Sequence, residues 1–133
     1  MEYTLESQKI LRGDLLIPPD KSLSHRAVMF NSIAKGKARI SNFLMGEDCL
    51  STISVLSKLG VKIQIENNSV ITFGEGIESL KKPDDILNVG NSGTTIRLMS
   101  GILAGRKFIS TLDGDSSIRK RPMKRIIEPL SLM

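Results

Sequence analysis

Three short segments of this 133-residue chain gather side chains suited to holding an anion. The first is Asp20-Lys21-Ser22-Leu23-Ser24-His25-Arg26, behind Pro18-Pro19 and at the start of a predicted helix. A helix N-terminus offers free backbone N–H groups and a partial positive charge. Lys21, Ser22 and Arg26 add an ammonium, a hydroxyl and a planar guanidinium, all matched to phosphate. The second is Gly90-Asn91-Ser92-Gly93-Thr94-Thr95-Ile96-Arg97. Its two glycines let the backbone approach a ligand, and the loop opens another helix. Arg97 lies about one turn in, where a helical side chain can point back to the helix start. The loop is neither a P-loop nor a dinucleotide fingerprint, since GxxxxGK[ST] and GxGxxG are both absent. The third is Arg119-Lys120-Arg121-Pro122-Met123-Lys124-Arg125, five basic residues in seven, with Pro122 fixing the chain beside Arg121 before a last helix. Each segment also has a plain reading: a capped first turn, a glycine turn without a ligand, a solvated or nucleic-acid-facing charge run.

Acid–base chemistry is less well supplied. His25 could be a general base or could orient its turn. Glu47-Asp48 and Asp84-Asp85 read as cap and loop residues, and Cys49 as a small packed thiol. One Cys and one His make neither an internal disulfide nor a cysteine-ligated zinc site.

The elements that must position these segments repeat. An apolar stretch over residues 9–17 reads as a strand. A helix capped by Ser22 or Ser24 runs to about Lys35, with Leu23, Ala27, Phe30, Ile33 and Ala34 as its apolar stripe and Gly36 after its end. Residues 38–44 alternate as a strand. Asp48 caps a helix carrying Leu50, Ile53, Leu56 and Leu59 and ended by Gly60. Residues 61–66 and 69–73 form a hairpin around Asn67-Asn68, and 74–85 a polar loop. Residues 86–89 form a short strand before the glycine loop. The next helix turns Ile96, Met99, Ile102 and Leu103 inward and stops at Gly105. Residues 107–112 read as a strand, 113–121 as a basic loop, and Pro122 as the first turn of a final helix. Residues 9–73 thus spell βαβαββ and 86–133 spell βαβα. Because the second unit lacks its hairpin and its last helix lacks a stop signal, the pattern predicts a piece of a longer protein. The plainer reading is a natural end in a helix.

Composition narrows the classes. The chain is 40% hydrophobic and 25% charged, enough to bury a core. That core must be aliphatic, with 16 Ile and 16 Leu against five aromatics. No apolar run is long enough to span a membrane. The opening residues lack the charge and hydropathy of a secretory leader, so a reducing cytoplasm is expected. The net charge is +5, all of it beyond residue 96, where 8 basic side chains face 3 acidic ones. No aromatics interleave the basic run, so base stacking on it is unsupported.

Together P-P-D-K-S-L-S-H-R-A (18–27), N-V-G-N-S-G-T-T-I-R-L (88–98) and L-D-G-D-S-S-I-R-K-R-P-M (112–123) resemble, in order and spacing, the N-terminal motifs of the 5-enolpyruvylshikimate-3-phosphate synthase family. The sister UDP-N-acetylglucosamine enolpyruvyl transferases normally carry Lys-Asn in the first motif, and their cysteine-bearing loop has no counterpart at 112–121. The resemblance implies an α/β (α+β) fold of repeated βαβαββ units, here an incomplete domain. Residues 1–13 would cross to a second domain. Residues 14–133 would form one full unit and most of another. It implies a transferase of aromatic amino-acid biosynthesis that moves the enolpyruvyl group of phosphoenolpyruvate to the 5-hydroxyl of shikimate 3-phosphate, without metal or organic cofactor. Lys21 would be catalytic and touch both substrates. Ser22 and Arg26 would hold shikimate 3-phosphate, and Asn91, Gly93, Arg97 and Arg121 phosphoenolpyruvate. The family's acidic proton-transfer residues lie further along the complete chain, so this chain alone is expected to be inactive and to expose faces through which it self-associates. The complete enzyme is expected to be a monomer with no nucleic-acid or membrane partner. Two other readings stand beside it: a non-catalytic anion-binding module of the same fold unit, and a small basic nucleic-acid binder.

Overall fold

In the computed structural model, which describes residues 3, 4, 6, 7, 10 and 12–133, helices and strands alternate along the chain. The order is α1 (Lys21–Ile33), β1 (Lys35–Ile40), α2 (Glu47–Lys58), β2 (Lys62–Glu66), β3 (Ser69–Glu75), a 3₁₀ turn (Ile77–Ser79), β4 (Leu87–Asn88), α3 (Gly93–Ala104), β5 (Leu112–Asp113), α4 (Ser116–Arg119) and α5 (Lys124–Ser131). The mixed α/β class agrees with the sequence reading. β3 is central in an antiparallel sheet ordered β1-β3-β2, and β4 and β5 pair in parallel across α3.

The hairpin forms as the alternation predicts, with Asn67 in the left-handed region at φ 51°. α2 buries Ile53 and Leu56 of its predicted stripe, and Leu59 is buried at its C-cap. α3 buries Met99 and Leu103 and ends at Gly105. These helices pack with Val28, Met29, Phe43, Val70, Leu87, Val89 and Ile118 into one aliphatic core.

Several expectations are corrected. The expected strand at 9–17 lies partly outside the described residues, and 12–17 pair with no strand. Leu15, Leu16 and Ile17 are exposed, and the segment is tied by Asn42, whose side-chain amide donates to the Ile17 carbonyl at 3.0 Å. The cap of α1 is Asp20, whose carboxylate accepts from the Leu23 N–H at 2.7 Å. Ser24 instead donates to the Asp20 carbonyl and accepts from the Leu44 N–H. α1 does not bury its predicted stripe: Leu23 is 60% and Phe30 62% exposed, and Ser24, His25, Val28, Met29 and Ser32 face the core.

Strand β1 begins three residues earlier than predicted, because its register against β3 runs Lys35↔Glu75 to Ile40↔Val70, and positive-φ Asn42 follows. Gly36 is therefore a strand residue. Gly46, not Asp48, caps α2. The strand expected at 107–112 pairs only at Leu112–Asp113, the expected basic loop contains α4, and Pro122 precedes Met123, the cap of α5. Among the described residues no helix is long and apolar enough to cross a membrane.

Candidate functional site

The starts of α1, α2 and α3 come together on one side of the core. α1 packs on α2 and α2 on α3, so segments far apart in sequence meet at their first turns.

At the start of α1, the Lys21 ammonium pairs with the Asp48 carboxylate in the first turn of α2. Cys49, buried beside it, donates weakly to the Lys21 carbonyl at 3.8 Å. Burial pushes the Cys49 thiol upward, so the uncharged packed form fits. Lys21, Gly46, Glu47, Asp48 and Asn91 line a common cleft of about 250 Å³. The sequence-predicted Lys21 and Asn91 therefore share one cavity.

The glycine loop is held on both sides. Gly90 takes φ +58°, and its N–H donates to Asn88 Oδ1 at 2.8 Å. The Gly90 carbonyl accepts from the Asp115 N–H at 3.0 Å. Ser92 caps α3, accepting from the Thr95 N–H at 3.1 Å. A Cβ built on Gly93 would lie 2.6 Å from Arg121 Nη1 and 3.2 Å from Arg97 Nη1. Both guanidinium tips thus hang over the bare Cα of Gly93. Arg97 reaches back from its helix as its position predicts. Arg121 arrives from the turn after α4, whose cap Asp115 accepts from the N–H groups of Ser117 and Ile118 at 2.9 Å. Those bonds, chiefly that from Ile118, hold the Asp115 carboxyl below its ordinary value, with the Arg121 charge assisting last.

Neither Arg97 nor Arg121 makes an ion pair or side-chain hydrogen bond among the described residues. Two convergent cations over a side-chain-free backbone will take a planar or tetrahedral anion. Arg119 is used differently. It donates to both oxygens of Asp113, at 2.9 and 2.6 Å, and with the Gly114 N–H this holds that carboxyl down at about 2.

Ser22 and Arg26 lie on the exposed side of α1, where Arg26 Nε donates to the Ser22 carbonyl at 3.2 Å. They stand together, but no hydrogen bond or ion pair among the described residues joins them to Asn91, Arg97 or Arg121. His25 does not face the cleft as a base. It is buried, with Nδ1 2.7 Å from Thr52 Oγ1. Desolvation lowers its basicity; Asp48 raises it and Lys21 lowers it by smaller amounts.

Sequence reasoning missed two features. Asp48 was expected as a cap and instead faces Lys21. Thr52 and Thr95 line up with His25 and Ser92 inside the core. The available signal for the second was a hydroxyl on an inward helical face, Thr95 being in phase with Met99 and Leu103.

Comparison with known proteins gives one consistent result. The family model described as EPSP synthase (3-phosphoshikimate 1-carboxyvinyltransferase) matches residues 5–133. The 3-phosphoshikimate 1-carboxyvinyltransferase of Thermodesulfovibrio yellowstonii is 54% identical over 134 residues, spanning 100% of this chain and 31% of the relative. That of Bacillus subtilis is 57% identical over 123 residues, spanning 92% and 29%. Among solved structures, EPSP synthase from Acinetobacter baumannii superposes with a TM-score of 0.87 at 47% identity, over 91% of this chain and 28% of that one. The chain therefore spans about 30% of the length of the curated relatives it matches.

Proposed function

This chain belongs to the EPSP synthase family, and on that footing we propose that its clustered helix starts form one wall of a cleft for enolpyruvyl transfer. The group passes from phosphoenolpyruvate to the 5-hydroxyl of shikimate 3-phosphate, releasing phosphate. Lys21 is the catalytic cation and reaches both substrates. Ser22 and Arg26 hold shikimate 3-phosphate, and Asn91, Gly93, Arg97 and Arg121 hold phosphoenolpyruvate. The reaction builds a charged tetrahedral intermediate between two polyanions, so fixed cations stabilise it more than a nucleophile would. No cofactor enters this scheme. Residues 14–133 are read as one full unit and most of a second within a domain, residues 1–13 as a crossing segment, the complete enzyme as monomeric and its place as the cytoplasm.

The observation that carries this reading is the meeting of Arg97 and Arg121 over Gly93, with neither in an ion pair among the described residues. Titrating phosphoenolpyruvate into the chain, with amide NMR as the readout, tests it. Shifts centred on Gly93, Thr94 and Arg121 are expected, with weak affinity because this chain forms only one wall. Shifts confined to residues elsewhere overturn it. A phosphate-release assay with both substrates is expected to show no turnover by this chain alone, which spans about 30% of the length of its relatives.

A further inference from the structure

Four buried polar side chains form a continuous line through the aliphatic core, behind the cleft and not in it. His25 Nδ1 lies 2.7 Å from Thr52 Oγ1, Thr52 Oγ1 lies 2.7 Å from Thr95 Oγ1, and Thr95 Oγ1 lies 2.7 Å from Ser92 Oγ. His25 is 1% exposed and the other three 0%. The line crosses three helices, from the second turn of α1 through α2 to the cap of α3. The Asp48 carbonyl lies beside both middle hydroxyls, 3.4 Å from Thr52 Oγ1 and 3.2 Å from Thr95 Oγ1.

Each hydroxyl has one proton to give, and the Asp48 carbonyl can accept it from Thr52 or Thr95, so the line has several consistent orders, in which Nδ1 either donates to Thr52 or accepts from it. His25 Nε2 is buried with no partner. A bare lone pair there is tolerated better than a bare N–H, so Nδ1–H donating to Thr52 is the favoured order. A doubly protonated ring would put a second N–H where nothing accepts it. Valine at Thr52 or Thr95 would fill the same space with no polar atom to satisfy. What the hydroxyls add is direction: the His25–Thr52 bond fixes α1 against α2 and the Thr52–Thr95 bond fixes α2 against α3, while Ser92–Thr95 ties the second to the cap of α3.

We propose that His25, Thr52, Thr95 and Ser92 are positioning residues, a buried strut that holds the Lys21 end of the cleft at a set distance from Asn91 and Gly93. Lys21 sits one turn before His25, and Ser92 lies between Asn91 and Gly93, so each end of the strut is adjacent to residues of the cleft. The proposal rests on the reading of that cleft as the phosphoenolpyruvate wall. The groups facing the imidazole are Lys21 of its own helix, and Asp48 and the uncharged Thr52 of α2.

The test compares the parent chain with Thr52→Val and Thr52→Ser by NMR, in two arms. In the first, acidification is followed at the His25 ring and at the amides of Ser92, Gly93 and Thr95. The parent is expected to show those amides moving at the His25 midpoint, below the ordinary histidine range. Thr52→Val abolishes the co-titration while retaining the parent's amide spectrum elsewhere, and Thr52→Ser restores it. A packing role alone would not produce this pattern. In the second arm, Thr52→Val weakens phosphoenolpyruvate about tenfold and Thr52→Ser recovers it. Amides that ignore the His25 titration in the parent, or that follow it equally in folded Thr52→Val, overturn the strut. If Thr52→Val does not fold, Thr95→Ser, which keeps the hydroxyl, must preserve co-titration, and its loss is the contrary result. If the parent binds no phosphoenolpyruvate, the functional reading fails, and the first arm still decides the strut.

Discussion

The Lys21 ammonium rests on the Asp48 carboxylate, so the cation assigned to both substrates is held by a residue of the next helix. Lys21 remains half exposed, so the pair is weakly held and can be shared with an arriving anion. Asp48→Asn removes the competitor and raises the local charge by one. Inorganic phosphate binding at low salt should strengthen by about two- to fivefold, and calorimetric titration of the parent and variant checks it. Unchanged or weaker binding would mean that Asp48 holds Lys21 in its working position.

Gly93→Ala isolates the guanidinium pair. Its Cβ would stand 2.6 Å from Arg121 Nη1, the far end of a flexible side chain, so the arginine yields and the helix does not. Thermal stability should hold, because alanine favours a helix over glycine by about 0.5–1 kcal/mol. Affinity for phosphoenolpyruvate should fall about tenfold through loss of one charge-assisted contact. Equal losses in Tm and affinity would contradict this separation.

Gly114 and Gly101 make a contrasting pair. A Cβ on Gly114 would meet the Gly90 carbonyl oxygen at 2.0 Å, a backbone atom that cannot rotate away, whereas one on Gly101 meets nothing within 4 Å. Gly114→Ala should destabilise by about 2–4 kcal/mol by prising the glycine loop from α4. Gly101→Ala, inside α3, should stabilise by about 0.5–1 kcal/mol. Denaturant midpoints of the two variants check both signs.

The Asp113–Arg119 pair sets an acid limit. The folded carboxyl, held at about 2 chiefly by Arg119, lies below its unfolded value. Its contribution is therefore fully present above pH ~4 and is lost as pH falls toward 2. His25 acts in the same sense at milder acidity, since its basicity is lowered on folding and stability declines as pH drops below about 6.5. Arg119→Ala should raise the Asp113 midpoint, followed by carboxyl carbon NMR, toward the ordinary carboxylate range, with the Gly114 N–H still holding part of the shift. A midpoint still near 2 would assign the shift to the Gly114 N–H alone.

Self-association should run through α1. Leu23 and Phe30 are exposed on one side of it, and Ile17, Pro18, Leu23, Ala27 and Ile40 line one concavity there. Contiguous apolar surface of this kind drives association. Light scattering should report species above the 14.6 kDa monomer, and Leu23→Ser with Phe30→Ser should shift the population to monomer. A clean parent monomer would oppose this.

What the sequence disclosed followed physical range. The hairpin and α2 were legible because period-two and period-3.6 patterns are local. Arg97 was legible because a helical side chain leans toward its own N-terminus. The face of α1 was misjudged because Leu23 and Phe30 turn outward, while Ser24, His25 and Ser32 join Val28 and Met29 on the core side, where Ser24 and His25 have partners on other elements. The role of Asp48 was hidden for the same reason, its partner Lys21 being 27 residues away. Strand β5 was overextended because alternation in 107–112 marks an extended segment but not a neighbour to pair with.

The outer edge of β1 carries a different lesson. The strand reads Lys-Gly-Lys-Ala-Arg-Ile and pairs with β3 on one side only. Three like charges in six residues make two such edges repel, a common guard against strand-to-strand polymerisation. The α1 face has no comparable guard along Leu23, Ala27 and Phe30. The β1 edge is thus guarded against pairing with its own copy, while the α1 face remains adhesive.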